Sequence, residues 1–413
     1  MYSSFEKNFI YVLLHPLSLF AFTDLLLFCL LYMYGGGVDR ALYMMVFFPI
    51  SSAFVYFFVS KFKFGDKYIF LICSMLCMVG VASISRVNFE LGFAQFIWYV
   101  IGFFVFILCS VMFYSFKMWG RLQWLYFFTS MFLFLVTFLC GEAFFGAKNW
   151  VEFSDGRYFQ PSELIKILFI FFLSGFFCKP FGGKIFNISE KYIVFVAAML
   201  FSVFLIMQRE WGTAVLLFLI YLFYSYVYDD GFVLTAASAV AMTSFLAAGY
   251  KKLSHIQVRI DAWLDPFSDA DGRGYQIVQS LFAMAAGGFF GRGFGNGNPQ
   301  FIPNVSSDFI FSAICEEFGL LFGIALILLY FILVYRGFRI SLTLAGFNKS
   351  LSFGIALVFA LQTFVIIGGV IKLIPLTGIT MPFVSYGGTS VVTCFACLGI
   401  LQALSAKSVV VFD

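Results

Sequence analysis

Long apolar runs recur from one end of this chain to the other, and they constrain its fold more than any other feature. Each runs about 17–25 residues, enough for a helix to cross roughly 30 Å of hydrocarbon. Of the 413 residues, 62% are hydrophobic and only 11% are charged, where a soluble domain carries about 25% charged residues. Backbone N–H and C=O groups find no water in lipid, so each span has to satisfy them internally. A β-barrel would need short segments of alternating polarity, and these runs are continuous. The expected fold is an all-α polytopic membrane protein of about twelve transmembrane helices. They lie near 16–34, 41–60, 68–85, 94–115, 122–140, 163–178, 191–208, 213–228, 231–250, 308–336, 351–371 and 388–405.

Several function classes are excluded on composition. The net charge of +4 comes without a basic patch, which gives no footing for nucleic acid. No Gly-x-x-x-x-Gly-Lys-Ser/Thr loop is present, so ATP is not the evident energy source. The nine cysteines fall mostly inside apolar runs, which reads as buried thiols and not as a disulfide or metal framework. The N-terminus shows no small-residue cleavage site, so no removable signal peptide is expected. Most basic residues fall on one set of connections, including Lys61, Lys63, Lys67, Lys117, Arg121, Arg336, Arg339, Lys349 and Lys407. The opposite set holds single residues such as Arg40, Arg86 and Arg209 plus the long loop 251–307. The positive-inside rule then places both termini in the cytoplasm and the long loop outside.

The polar chemistry is concentrated in Gln257–Glu317. Asp308 stands at the mouth of an apolar run and reads as the start of a helix, where the dipole favours a carboxylate. On a continuous helix, Glu316 and Glu317 would lie about 12–13 Å deeper at 1.5 Å per residue. Glu317 would point nearly opposite Asp308, so the two acids are expected to serve different partners. Asp269-Ala-Asp271 reads either as a metal-chelating pair or as turn-forming aspartates before Gly272. Tyr275–Phe290 is amphipathic and short for a span, which suits an interfacial or re-entrant helix. The stretch 287–297 holds six glycines and Arg292; it reads as a phosphate-wrapping loop or as a simple connection. Arg86, at an outer helix end, reads as a headgroup contact or a snorkelling cation.

Three further places carry charge or broken backbone. Glu163 and Lys166 are three apart and share a helix face, with Ser162 as the expected N-cap. Gln208-Arg-Glu-Trp-Gly-Thr213 reads as a tight outer turn that leaves Glu210 at the membrane surface. Lys372–Ser390 contains Pro375, Pro382, Gly387 and Gly388, which forbid a regular helix. Irregular backbone at membrane depth is tolerated only against protein or a polar cavity, so this segment lines something.

Taken together, these residues resemble the SEDS family of bacterial cell-wall polymerases, which includes FtsW, RodA and SpoVE. The matching motifs are Phe159-Gln-Pro-Ser-Glu-Leu-Ile-Lys166, Gln208–Thr213, Asp265-Pro266 with Gly274–Ser280, Gly287-Gly288 with Gly291–Gly295, Asp308–Phe311 with Glu316–Gly319, and Pro375–Gly388. They occur in family order over about 68–405. The resemblance implies a ten-helix core at 68–405, an N-terminal two-helix addition at 1–67, a catalytic loop at 251–307 and a tail at 406–413. It implies a multi-pass protein of the bacterial cell membrane acting in elongation, division or sporulation. The implied activity is a peptidoglycan glycosyltransferase that polymerises lipid II and releases undecaprenyl pyrophosphate. It also implies a class B penicillin-binding protein and other cell-wall synthesis proteins as partners, and a divalent cation, Mg or Mn, as cofactor. The family carries a key acid at the position of Asp308 and a polar cavity at Glu163, Lys166 and Glu210. Two departures stand out: Asn304-Val-Ser-Ser-Asp308 lacks the family's Pro-Glu-x-His-Thr-Asp histidine, and position 210 is glutamate where aspartate is usual.

The expected chemistry is one in-line displacement with inversion, which needs a carboxylate base and cations for the leaving pyrophosphate. Asp308 is the candidate base. Arg259, Arg292 and Lys372 are the candidate cations. Glu163, Lys166, Glu210, Ser385 and Tyr386 are candidate substrate contacts, and no residues are assigned to a metal. Two other readings fit a charged cavity among spans: a lipid II flippase, and a non-catalytic scaffold of the synthesis complex.

Overall fold

A computed structural model of the chain describes residues 15–33, 38–144, 147–154, 157–178, 184–185, 188–228, 232–252 and 254–408. Gly35–Gly37, expected to close a helix, and Asp229–Asp230, expected in a turn, lie outside them.

The apolar runs become helices: α1 (Pro16–Met33), α2 (Val38–Phe62), α3 (Ile69–Val87), α4 (Phe89–Ser115), α5 (Gln123–Cys140), α6 (Pro161–Phe177), α7 (Glu190–Met207), α8 (Trp211–Tyr228) and α9 (Phe232–Lys252). After the shorter α10 (Ser254–Leu264) and α11 (Tyr275–Gly287) come α12 (Ile310–Thr343), α13 (Gly346–Val370) and α14 (Gly388–Ala406). Among the described residues, ten helices are long and apolar enough to cross a membrane: α1–α5, α7, α8 and α12–α14. The other two expected spans coincide with α6, of 17 residues, and α9, whose apolar part is Phe232–Ser244.

The helices sort into a kernel and a rim. Most residues of α3, α6, α13 and α14 are buried. The rim helices turn large apolar side chains outward, such as Phe104, Phe128, Val196 and Phe331. Lipid tails are as apolar as these side chains, so this exposure carries no penalty in a bilayer.

The second N-terminal helix, α2, is stitched to α3 and α4 by hydroxyls. Ser52 Oγ donates to Ser74 Oγ (2.8 Å), and Tyr99 OH lies 2.7 Å from both Ser51 Oγ and Ser74 Oγ. At the far end of α2, Arg336 Nη1 donates to Asp66 Oδ2 (2.6 Å) and Gln402 Nε2 donates to the Phe64 carbonyl (2.6 Å). These bonds tie the α2–α3 connection to α12 and α14.

Three local features depart from the sequence expectation. First, α12 is not continuous. Gly319 has φ +84°, which divides it into a short leg, 310–318, and a long leg, 320–343. Glu316 and Glu317 therefore sit in the last turn of the short leg, just before the bend. Second, Asp308 precedes the helix, whose N-cap is Phe309; its N–H donates to the Asn304 carbonyl (3.1 Å). Third, the loop after α5 folds into an antiparallel sheet of β1 (Gly141–Phe144), β2 (Ala147–Ser154) and β3 (Arg157–Phe159), in that order.

The glycine-rich stretch packs against the α12 kink. Arg292 N–H donates to Glu316 O and Gly293 N–H to Glu317 O, both at 3.0 Å, and Leu320 N–H donates to Gly288 O (2.9 Å). Gly291 has φ +79°, and a Cβ there would lie 2.2 Å from Glu317 O. Close backbone approach accounts for this glycine, and Arg292 and Gly293 spend their N–H groups on the helix. Gly291→Ala is expected to cost roughly 2 kcal/mol from the left-handed conformation and the clash, read as a lower melting temperature of purified protein. A substitution with no thermal effect would mean that the loop does not hold this close packing.

Candidate active site

The N-terminal ends of α6 and α8 meet at Glu210. Pro161 opens α6 at a position where a missing N–H costs nothing. The helix cap is Gln160, not the expected Ser162. Ser162 instead turns its hydroxyl to Glu210 Oε1 (3.1 Å), which also accepts from Gln160 Nε2 (2.8 Å) and Asn149 Nδ2 (2.5 Å). Glu210 occupies the expected tight turn between α7 and α8, where Arg209 has φ +63°. Burial pushes the Glu210 carboxyl above its usual range, and the three donors pull it back.

One turn into α6, Lys166 Nζ lies 2.9 Å from Glu163 Oε1, and both side chains are about 6% exposed. Thr393 Oγ1 on α14 donates to Glu163 Oε2 (3.1 Å), and Lys166 donates to Gln362 Oε1 on α13 (3.2 Å). These groups line a cavity of ≈ 10 Å³ with Cys394 and Cys397, about the room one water molecule needs.

The second centre forms around Asp308. The 371–387 segment is irregular as expected, with Lys372, Gly378 and Phe383 at φ +61°, +73° and +67°. Non-glycine residues persist there only when their surroundings over-determine them. α10 lies across this segment: Trp263 Nε1 donates to the Lys372 carbonyl and Arg259 Nη1 to the Leu376 carbonyl, both at 3.1 Å. Arg259 and Asp308 converge beside Gly378, where an added Cβ would lie 3.5 Å from Arg259 Nη1 and 3.9 Å from Asp308 Oδ2. Asp308 is half-buried. Burial pushes its carboxyl above the usual range, while a hydrogen bond from Ser307 and the Arg259 guanidinium draw it down. Ser385 Oγ donates to the Ser307 carbonyl and Tyr386 N–H to the Ser306 carbonyl (2.8 Å), so the irregular segment holds the residues just before Asp308.

The expected site residues thus divide. Arg259 joins Asp308. Glu163 and Lys166 form one buried pair, with Glu210 nearby at the turn between α7 and α8. Arg292 instead faces Glu316 (3.4 Å), and Glu317 faces Arg86 (3.2 Å). Arg86 also donates Nη2 to the Gly295 carbonyl (2.6 Å). Asp308 and Glu317 do serve different partners, Arg259 and Arg86, and Glu316 and Glu317 both bind the glycine-rich loop to the short leg of α12. Asp269 takes the turn reading: its Oδ2 accepts from Arg273 N–H (3.0 Å) and its carbonyl from Gly274 N–H (3.0 Å). Two residues escaped the sequence reading, Gln95 on α4 and Gln362 on α13. The signal was available: a lone amide inside an apolar span is costly and usually has a purpose.

A helical membrane bundle with an acid–arginine pair poised on a broken segment, and an ion pair buried beside it, defines a polytopic protein with a polar site among its spans. The description "cell cycle protein", the family of FtsW, RodA and SpoVE, matches residues 66–409, and the chain belongs to that family. It is 37% identical over 274 residues to a peptidoglycan glycosyltransferase RodA of Mycobacterium tuberculosis, covering 63% of this chain and 58% of that protein. The aligned part therefore spans little more than half of that relative. Stage V sporulation protein E of Bacillus subtilis is 32% identical over 314 residues, 74% of this chain and 83% of that one. Among solved structures, a chain of a peptidoglycan synthase complex that coordinates polymerization and crosslinking superposes with TM-score 0.68 at 20% identity. It covers 83% of this chain and 98% of its own. RodA of Thermus thermophilus gives TM-score 0.61 at 19% identity, covering 84% and 98%. These likenesses show the shared fold.

Proposed function

We propose that this protein is a peptidoglycan glycosyltransferase that polymerises lipid II outside the cell membrane and releases undecaprenyl pyrophosphate. The observation that carries the reading is the convergence of Asp308 and Arg259 beside Gly378, on a segment too irregular to be a plain span. The relatives' names point to the same activity.

In this reading the acceptor's hydroxyl oxygen attacks the anomeric carbon of the donor sugar. The bond from that carbon to the pyrophosphate breaks, the configuration inverts, and the hydroxyl proton passes to Asp308. Arg259 meets the charge that develops on the leaving diphosphate, and Lys372, on the irregular segment that α10 crosses, is a second cation for it. Glu163, Lys166 and Glu210 orient the headgroup while the isoprenoid tail stays in lipid. Among the described residues no three His, Cys, Asp or Glu side chains gather to hold a metal. A divalent cation would therefore be carried by the diphosphate, as Mg²⁺ commonly is by substrate phosphates. Both termini are cytoplasmic in this scheme, and a class B penicillin-binding protein crosslinks the product.

The test is conversion of labelled lipid II to polymer by purified protein with that partner. Lipid crossing vesicles without polymer would favour a flippase instead. A pH profile tests the acid–arginine pair. Asp308 works ionised, so the rate should rise with pH through a carboxyl held above the ordinary range. Removing the cation that lowers it, in Arg259→Gln, should move this limb to higher pH. A limb that stays in place or moves down rules out the pairing.

A further inference from the structure

We propose that Gln95 and Gln362 are positioning residues that clamp the irregular segment at two points and thereby hold Asp308 in register for proton abstraction. The catalytic part of this proposal rests on the glycosyltransferase reading above; the clamp itself does not.

Both amides lie inside membrane spans and are 2% and 1% exposed. A buried amide is costly unless its N–H₂ and its oxygen both find partners, and here all four ends do. Gln95 Nε2 donates to the Ser385 carbonyl (2.9 Å), and its Oε1 accepts from Gly387 N–H (3.2 Å). Gln362 Nε2 donates to the Thr380 carbonyl (2.8 Å), and its Oε1 accepts from Lys166 (3.2 Å). One glutamine, on α13, therefore fixes the segment before Pro382, and the other, on α4, fixes it after.

Between these grips the backbone turns through Phe383 at φ +67°, a conformation that needs outside restraint. Met381 N–H donates to Ser385 Oγ (2.9 Å), and the Ser385 hydroxyl in turn donates to Ser307 O. Tyr386 N–H reaches Ser306 O. The path from each glutamine to Asp308 is thus short and made of hydrogen bonds. It runs from Gln95 through Ser385 and Tyr386 to residues 306–307. From Gln362 it runs through Thr380 and Met381 to Ser385. Gln362 also joins the buried Glu163–Lys166 pair to this path, so the two halves of the candidate site share one linkage. A base misplaced by about 1 Å loses on the order of 10²-fold in rate, which is the scale on which such a clamp acts.

The test uses the full chain in proteoliposomes with its penicillin-binding partner. Gln95→Met and Gln362→Met keep the side-chain length and remove both hydrogen-bond ends. The expected result is a kcat lower by about 10–100-fold with KM for lipid II within about twofold. Amide exchange at Tyr386 should quicken. In an Asp308→Asn background, Gln95→Met should reduce the residual rate no further, because a residue acting through Asp308 has nothing left to position. A KM rise with kcat intact, a full additive loss in that background, or unchanged exchange at Tyr386 would each overturn the proposal. Should wild type form no polymer at all, the glycosyltransferase reading falls and takes the catalytic part with it, while the exchange measurement still decides the clamp.

Discussion

Asp308→Asn should lower lipid II polymerisation by about 10²–10⁴-fold, the usual contribution of a positioned general base. The replacement is nearly isosteric and keeps an oxygen for Ser307. It removes the group that, in the proposed mechanism, accepts the acceptor's proton. Folding should be little disturbed, because Asp308 is half-buried and lies ahead of the α12 cap, not within the helix. Arg259 would lose its countercharge but keep its bond to the Leu376 carbonyl. The measurement is the initial rate of polymer formation alongside a melting curve. A mutant within threefold of wild type would remove Asp308 from the mechanism. A mutant that is inactive because it no longer folds would show itself in the melting curve, and Arg259→Gln then carries the test through the pH limb.

Lys166→Met should have the largest effect on stability. Glu163 and Lys166 are both about 6% exposed, and taking away one partner leaves a charge in a medium that cannot solvate it. Breaking a buried pair this way costs about 3–5 kcal/mol. Removing both charges, in Glu163→Gln with Lys166→Met, should cost less than the single change, since no uncompensated ion remains. Thr393 and Gln362 would still have polar partners within reach in the double variant. Thermal unfolding in detergent reads both. A single variant that loses under about 1 kcal/mol, or a double variant worse than the single, would show that the pair is not desolvated as described.

The helices were legible because hydrocarbon thickness sets their length, and a run of apolar residues reports that directly. Even α6 was readable, although its N-terminal turn carries Glu163 and Lys166, because the apolar residues continue beyond them. The break at Gly319 was not. A glycine between Phe318 and Leu320 looks like any other small residue in a span, and only the glycine-rich loop packed against it requires φ +84°. The pairing of Glu317 with Arg86 was out of reach for a related reason: it joins residues far apart in sequence, and helical spacing speaks only to neighbours. The β-strands after α5 were hidden in a polar loop whose pairing is set by the surface beneath it. The acid at 308 was found by its position at the mouth of an apolar run, and its partner Arg259 only as one of several cations. The fold supplies the reason Arg259 stands ahead of Arg292, because it gives Arg292 to Glu316.

The family match begins at residue 66, just after the hairpin α1–α2, which presses its serines on Ser74 and Tyr99. Acyl chains offer nothing for those hydroxyls to bond, so cutting the chain back to the shared region would not yield a minimal version of the protein. It would bare a wettable seam to oil. A second polypeptide seeking that flank would also compete with a neighbour tethered to the same backbone, whose effective concentration dilution does not lower. Whatever docks on this molecule has to come to another side of it.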